Sequence, residues 1–356
     1  MMAAAPAASA VAGSPAADTR VVGDAEDAQQ LWREIVQVYD RAQATGACSK
    51  TDTQVEVFRD AETGIDFVLR IATALKAKPK GPPKASAPAA AGAAATPAPP
   101  PWRNPFLPPE PELFVRHLGA DHSLVLNKFN VVHHHVIVIT REFRSQAEPL
   151  YGNDLAAALA VLRAMPEGGV AFYNCGPNSG RSQPHKHMQV VPLPFTDSQP
   201  PEAPVHGLVV AAAAAAAAAG AQPAAGAGAP PWAPLPVELR QLPYRCYAAL
   251  LPDSPTPQQL EAAFSCLLQR CHPDYAYDHP TNPLDAAAAG SGSVSYNVLM
   301  TRGWLMLAPR ASECCGPLAL NSLAFAGTML VRSAEELGYV RSTGPGRILA
   351  AVGEPW

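Results

Sequence analysis

The stretch Ser179-Gly180-Arg181-Ser182-Gln183-Pro184-His185-Lys186-His187-Met188-Gln189-Val190-Val191 decides how the rest of the chain is read. From His185 onward it has the pattern of a strand that ends in apolar residues. Alternate residues of a strand point to one face. His185, His187 and Gln189 therefore project together into one site. The residues just before them, Asn174 to Gln183, are rich in Gly, Ser and Asn. Glycines permit tight turns, and the N–H groups of such a loop can line a concave nest for phosphate oxygens. An imidazole beside a phosphate cradle points to nucleotidyl transfer through a phospho-histidine. A free imidazole attacks phosphorus well, and the phosphoramidate formed is labile enough to pass the group on. The nucleophile needs its other ring nitrogen hydrogen-bonded, so that one tautomer faces the substrate. Gln189 can donate its amide to a non-bridging phosphate oxygen. An ordinary strand with two polar residues explains the histidines alone, and a plain hairpin explains the loop alone. Neither explains the two in succession.

Composition limits the partners. The chain has 356 residues, enough for one large domain or two ordinary ones. Charged residues are 16%, and 26 basic against 30 acidic side chains leave a net charge of −4. That leaves no basic surplus to hold a long nucleic-acid backbone. Phosphate must be met by a few local cations and backbone amides. The 7 cysteines contain no C-x-x-C pair and are odd in number, which reads as free thiols rather than a disulfide framework. The apolar run Val209 to Ala219 is mostly alanine and too short to span a bilayer. The Ala-rich, uncharged Met1 to Ala17 lacks the basic start and Leu/Val-rich core of a secretory signal. A cytoplasmic location is expected. A plastid is the alternative, since a transit peptide would also be poor in acids, though richer in Ser and Arg.

Low-complexity tracts divide the chain. Met1 to Val22 reads as a disordered N-terminus, Pro82 to Pro101 as a disordered Ala/Pro insert, and 207–231 as a low-complexity linker. The alanines of that linker favour helix but offer no amphipathic face, so a spacer is expected. Asp285 to Ser293 is a smaller loop of the same kind. A catalytic region over 23–206 and a C-terminal region over 232–356 remain.

Helical periodicity marks Asp27 to Thr45, Asn153 to Met165 and Thr256 to His272. Helix is also expected over Leu318 to Phe325 and Ser333 to Leu337. Strand patterns mark Gln54 to Phe58, Ile65 to Ile71, Phe114 to His117, Ser123 to Leu126, Val131 to Thr140, Val170 to Tyr173, His185 to Pro192, Ser295 to Met300 and Trp304 to Ala308. Without a regular β-α-β rhythm, these elements predict an α+β fold around a largely antiparallel or mixed sheet flanked by helices.

Other residues are less decisive. Lys128 in Asn127-Lys128-Phe129-Asn130 can serve a phosphate as a point charge. His133, His134 and His135 suggest metal, but neighbours on a strand face opposite ways and cannot share one ion. Packing roles are expected for them. Lys50, from its local sequence, reads as a solvated loop lysine.

Several blocks together resemble the ATP adenylyltransferases, the diadenosine tetraphosphate (Ap4A) phosphorylases of the histidine triad superfamily. They are Asn127-Lys128-Phe129-Asn130-Val131-Val132, Thr140-Arg141-Glu142-Phe143, Tyr173-Asn174-Cys175-Gly176 and Ser182-Gln183-Pro184-His185-Lys186-His187-Met188-Gln189. The resemblance implies a histidine-triad-like fold and reversible phosphorolysis of Ap4A to ATP and ADP. It implies a divalent cation such as magnesium, held mainly through substrate phosphates, and no metal site built from the protein itself. Its nucleophile falls on His187, with His185 and Gln189 in support. Its substrate contacts fall on Lys50, Asn127, Lys128, Asn174, Gly180, Arg181, Ser182, Gln183, Gln189, Asn321, Ser322, Leu323, Thr328 and Arg332. At Thr328 and Arg332 the family pattern has Met and Lys, and at Arg181 a small residue. Small-molecule partners are implied, with the protein acting as a monomer or small homo-oligomer and binding neither nucleic acid nor membrane. Two rivals stay open. One is another histidine-dependent nucleotidyltransferase, such as a nucleotide-sugar phosphorylase, separable by base preference. The other is a non-catalytic nucleotide-binding sensor.

Overall fold

The computed structural model describes residues 24–72, 102–221, 233–275, 277 and 294–356. The sequence expectations for Met1 to Val22, Pro82 to Pro101 and Asp285 to Ser293 lie outside these. In chain order the elements begin with helix α1 (Ala25–Thr45), then strands β1 (Ser49–Lys50), β2 (Gln54–Arg59), β3 (Asp66–Ile71), β4 (Phe114–Leu118), β5 (His122–Leu126), β6 (Phe129–Asn130) and β7 (Val136–Thr140). Helix α2 (Gly152–Ala164), β8 (Gly169–Cys175), β9 (His187–Pro192) and helix α3 (His206–Ala218) follow. Next come β10 (Val237–Glu238), β11 (Tyr247–Leu250), α4 (Pro257–Cys271), β12 (Tyr296–Met300), β13 (Trp304–Pro309), β14 (Cys314–Cys315) and β15 (Leu318–Ala319). The chain closes with α5 (Ser322–Ala326), β16 (Thr328–Val331), α6 (Ala334–Thr343) and α7 (Pro345–Val352).

Nine strands form one sheet in the order β10-β11-β13-β12-β8-β9-β7-β5-β4, and every neighbouring pair is antiparallel. The α+β expectation with a largely antiparallel sheet is met. Strands from before and after the low-complexity linker meet inside it, where β8 pairs with β12 from Ala171↔Met300 to Cys175↔Tyr296. Both faces of the sheet are covered, so its central strands are apolar on both sides rather than alternating with polar residues. One face packs on α1, α2 and α4, through Ala171, Tyr173, Met188, Val190, Val298 and Leu307. Helix α2 is apolar nearly all round and is buried nearly all round between the sheet and its two neighbours. The other face carries Val170, Phe172, Val191, Trp304 and Met306, packed against α3, α5, α7 and a three-stranded sheet β16-β3-β2. A separate small cluster of Val125, Ile137 and Ile139, with Phe106 and Phe114 against it, lies farther along that second face.

Three local expectations need correction. The strand expected over Val131 to Thr140 begins only at Val136, because residues 131–135 turn and His134 sits at φ 53°. Aromatic contacts hold that turn: His134 lies 4.7 Å from the Tyr39 ring and 5.1 Å from Trp32. The helix expected over Leu318 to Phe325 starts at Ser322, where the Asn321 side chain caps it, while Leu318–Ala319 pairs with Cys314–Cys315. The alanine run is not a spacer over its first part. Helix α3 docks Val209 and Ala213 into the second core, and the Trp304 indole donates to His206 at 3.0 Å.

Candidate active site

Strands β8, β9 and β7 are adjacent near the middle of the sheet. Their register sets Gln189 beside Phe172 on one side and Ile137 on the other, and His187 beside Ile139. His187, Gln189, Phe172 and Asn174 share the face opposite the α1–α2–α4 layer, because Tyr173, Met188 and Val190 between them belong to that layer. His185 precedes β9 in an isolated bridge to Ser145. The rings of His185 and His187 both meet Phe106, with centroids 5.6 and 5.2 Å away. The two imidazoles thus share one site, and half-buried Gln189 lies on the same face.

His187 is almost wholly buried. Its Nδ1 lies 2.7 Å from the His185 carbonyl oxygen. A carbonyl only accepts, so Nδ1 carries the proton and Nε2 keeps its lone pair. Burial pushes the imidazole pKa down to about 4, against the opposing effect of that hydrogen bond. The ring is therefore neutral near pH 7, the form that attacks phosphorus.

The backbone around His187 is pinned by buried Gln146. Its Oε1 accepts from the His187 N–H at 2.7 Å, and its amide donates to the carbonyls of His187 and Asn174 at 3.1 Å each. Asn174 is oriented as tightly. Its Oδ1 receives Ser322 N–H at 2.9 Å and Asn297 Nδ2 at 2.9 Å, and lies 2.7 Å from Ser322 Oγ. Three partners on the oxygen leave the Asn174 Nδ2 donor turned away from them.

The loop from Gly176 to Gln183 is set by its glycines. Gly180 has φ 81°, and a Cβ there would stand 2.3 Å from the Leu320 carbonyl oxygen. Gly176, at φ 83°, has the Val294 carbonyl oxygen 2.2 Å from the same point. Only glycine fits either position. Buried Arg310 ties the loop to its surroundings: it donates to the Ser179 and Leu320 carbonyls at 3.4 and 3.3 Å, to Ser312 O at 2.7 Å, and to the Asn297 side chain.

The remaining expected residues fall in three places. On the loop, Ser182 is exposed, Arg181 is half-buried, and Gln183 accepts from the Trp102 indole at 3.1 Å. At the start of α5, Asn321 is the N-cap accepting from Leu323 N–H, and Leu323 leans on the second core. Thr328 and Arg332 belong to the three-stranded sheet and its exit: the Thr328 hydroxyl donates to Val68 O at 3.1 Å, and Arg332 is exposed. Asn127 donates to Phe129 O at 2.9 Å and lies 3.0 Å from His135 Nδ1, and the His135 ring is 6.1 Å from Phe172. Lys128 is engaged by both oxygens of Glu110, at 2.9 and 2.7 Å. Lys50 lies 3.3 Å from Asp52. Burial holds the His133 imidazole below its usual range, and the charges of Lys50 and Arg70 lower it further.

Sequence reading missed Trp102, Asn104, Phe106, Gln146, Asn297 and Arg310. The first three alternate along Trp102-Arg103-Asn104-Pro105-Phe106, directly after the Ala/Pro tract, and its prolines hid them. Gln146, Asn297 and Arg310 act on backbone far away in sequence, and no local pattern shows that.

Comparison with known proteins fits this arrangement. Residues 23–211 match the Ap4A phosphorylase N-terminal domain, more than half of the chain, and residues 240–355 match the ATP adenylyltransferase C-terminal domain. The chain belongs to the Ap4A phosphorylase family. As a member of that family it is a nucleotidyltransferase. Among its relatives, diadenosine 5',5'''-P1,P4-tetraphosphate phosphorylase 2 of Saccharomyces cerevisiae is 26% identical over 330 residues, covering 87% of this chain and 89% of that one. Protein APA1 of the same yeast is 29% identical over 166 residues, 44% of this chain and 47% of that one. The crystal structure of yeast Ap4A phosphorylase Apa2 in complex with Ap4A superposes with a TM-score of 0.68 at 24% identity, covering 92% of this chain and 98% of that one. That likeness shows the shared fold.

Proposed function

We propose that the chain catalyses reversible phosphorolysis of Ap4A with His187 as nucleophile, on a sheet we read as histidine-triad-like. His187 Nε2 attacks the α-phosphorus of Ap4A. An N–P bond forms, the bond from that phosphorus to the bridging oxygen breaks, and ATP leaves. Inorganic phosphate then attacks the same phosphorus, the N–P bond breaks, and ADP leaves with the new phosphate as its β-phosphate. Asn174 Nδ2, the Gln189 amide and the N–H groups of Gly180 to Gln183 face the charge that develops on the phosphate oxygens, the kind of term that usually dominates such transfers. One observation carries the reading: a buried, neutral imidazole whose Nδ1 proton is committed to the His185 carbonyl and whose Nε2 is left as a base.

A divalent cation such as magnesium accompanies the substrate in this proposal, carried by its phosphates. Among the described residues no group of three or more His, Cys, Asp or Glu gathers to hold an ion, and no step above runs through the metal. We also propose a cytoplasmic monomer or small homo-oligomer. The seven cysteines are all free, and no helix among the described residues is long and apolar enough to cross a membrane.

The test is chromatography of products from the pure protein with Ap4A and magnesium, with and without phosphate. ATP plus ADP, only when phosphate is present, is expected. Cleavage by water alone, giving ADP pairs or AMP plus ATP, contradicts the proposal. Turnover of a nucleotide sugar in preference to Ap4A would move it to the rival class.

A further inference from the structure

The segment Trp102–Phe106 lies over the histidine motif, and its central residue makes a contact with a definite proton assignment. Asn104 Oδ1 accepts from the Phe106 backbone N–H at 3.0 Å. That fixes which end of the amide is which, and places Nδ2 2.9 Å from His185 Nδ1. An amide NH2 only donates, so His185 Nδ1 must be bare. The other ring nitrogen, Nε2, lies 2.9 Å from the Thr140 carbonyl oxygen and 2.9 Å from Thr140 Oγ1. The Thr140 hydroxyl spends its own proton on Glu142 O at 2.8 Å, so its oxygen can only accept from His185. All four contacts are met by one state of His185, the neutral ring protonated at Nε2. His185 is fully buried and Phe106 packs edge-on against it, so no water is needed to complete the set.

We infer that Asn104 is a positioning residue that locks the Nε2-protonated tautomer of His185, and through the His185 backbone carbonyl sets the tautomer of the nucleophile His187. The link has three parts. Asn104 and Thr140 clamp the His185 ring from both sides. The clamped ring fixes the peptide that carries the His185 carbonyl. That carbonyl holds the His187 Nδ1 proton at 2.7 Å and so turns Nε2 toward the substrate. Asn104 touches neither substrate nor His187 in this scheme. The inference also gives His185 a definite role: it is an orienting group, and with both ring nitrogens engaged it is not a proton donor to the leaving group. Burial lowers its basicity, in agreement with a ring that stays neutral.

The inference rests on His187 as nucleophile, and its test has two readouts. Nitrogen NMR of the resting protein, with 15N-labelled histidine, distinguishes the two neutral tautomers and the imidazolium. We expect His185 as Nε2–H and His187 as Nδ1–H. In Asn104→Leu the clamp is gone, His187 should populate both tautomers, and kcat should fall roughly tenfold to hundredfold with little change in KM. Asn104→Asp keeps the shape and the Phe106 contact. Its carboxylate should draw a second proton onto His185, giving an imidazolium signal near neutral pH while preserving the clamp, and kcat should recover most of the loss. A wild-type His185 that is Nδ1–H or charged overturns the inference, as does an Asn104→Leu protein with wild-type kcat and an unmixed His187 signal. Failure of wild-type protein to turn over Ap4A would overturn the nucleophile reading instead, and the NMR spectrum decides the His185 lock independently of that.

Discussion

At the residue scale, the state of His187 has consequences for both rate and stability. Its folded pKa of about 4 lies below the ordinary histidine value near 6.5. As the proposed nucleophile, His187 therefore stays unprotonated well below neutrality, and the acid limb of kcat should fall closer to pH 4 than to pH 6.5. A limb at pH 6.5, in a protein shown to be folded there, would contradict the burial. The sign for stability follows from the same shift. Between pH 6.5 and 4 the unfolded chain binds the proton that folded His187 refuses. Stability is thus fully present above about pH 6.5 and is lost as pH falls through that window, by on the order of 3 kcal/mol for this residue. Buried His185 and half-buried His134 are shifted in the same direction by burial and add to the loss. Urea midpoints at pH 7 and pH 5 measure it. Gln146 permits a second prediction. Gln146→Leu would strand the His187 N–H and two carbonyls in a buried site, so we expect a cost of roughly 2–4 kcal/mol in urea unfolding and a lower kcat. Wild-type stability would mean that water reaches that position.

At the element scale, helix α3 shows what composition hides. Thirteen residues of mostly alanine give it no amphipathic pattern, yet Val209 is fully buried in the core and Ala213 nearly so. Small side chains let it approach the sheet closely, and alanine counts as apolar on every side, so the docking face is invisible in a pattern. Val209→Asp should destabilise by roughly 2–4 kcal/mol, through a buried unpaired charge or the protonation that avoids it. The active-site loop lies elsewhere, so kcat of the remaining folded enzyme should be unchanged. A stability equal to wild type would show that the helix is peripheral. The same contrast explains what was legible. Strands β2, β3, β5, β12 and β13 have strong β patterns of five or six residues and were read within a residue or two. The two-residue strands β1, β6, β10, β14 and β15 carry no periodicity and were missed. The His-x-His-x-Gln face was readable because a strand's period of two is strict. The roof over it was not, because Trp102, Asn104 and Phe106 look like the end of a proline tract and gain meaning only by contact with residues about 80 positions later.

At the scale of the whole molecule, the large sheet is made jointly by the two ends of the chain. The β8–β12 pairing crosses the low-complexity linker, and Asn174 is held by Asn297 and Ser322 from beyond it. A chain cut between residues 221 and 233 should therefore give two pieces that are each poorly folded alone, since each exposes an apolar sheet edge. The two together should recover activity. A soluble, cooperatively unfolding N-terminal piece made alone would contradict this. The net charge of −4 adds that the molecule as a whole does not attract a polyphosphate, so the proposed site must hold its substrate through local donors and cations rather than a general field.

The central claim is that the adenylyl group rests on His187 between two half-reactions. It is tested most directly by mixing the enzyme in near-stoichiometric amount with Ap4A in the absence of phosphate, quenching at alkaline pH, and mapping the modified peptide by mass spectrometry. The account predicts one equivalent of ATP released, AMP attached to the peptide carrying His187, and its discharge as ADP when phosphate is added. No adduct at any time, with ATP and ADP appearing together only in the presence of phosphate, would mean direct in-line transfer and would contradict it.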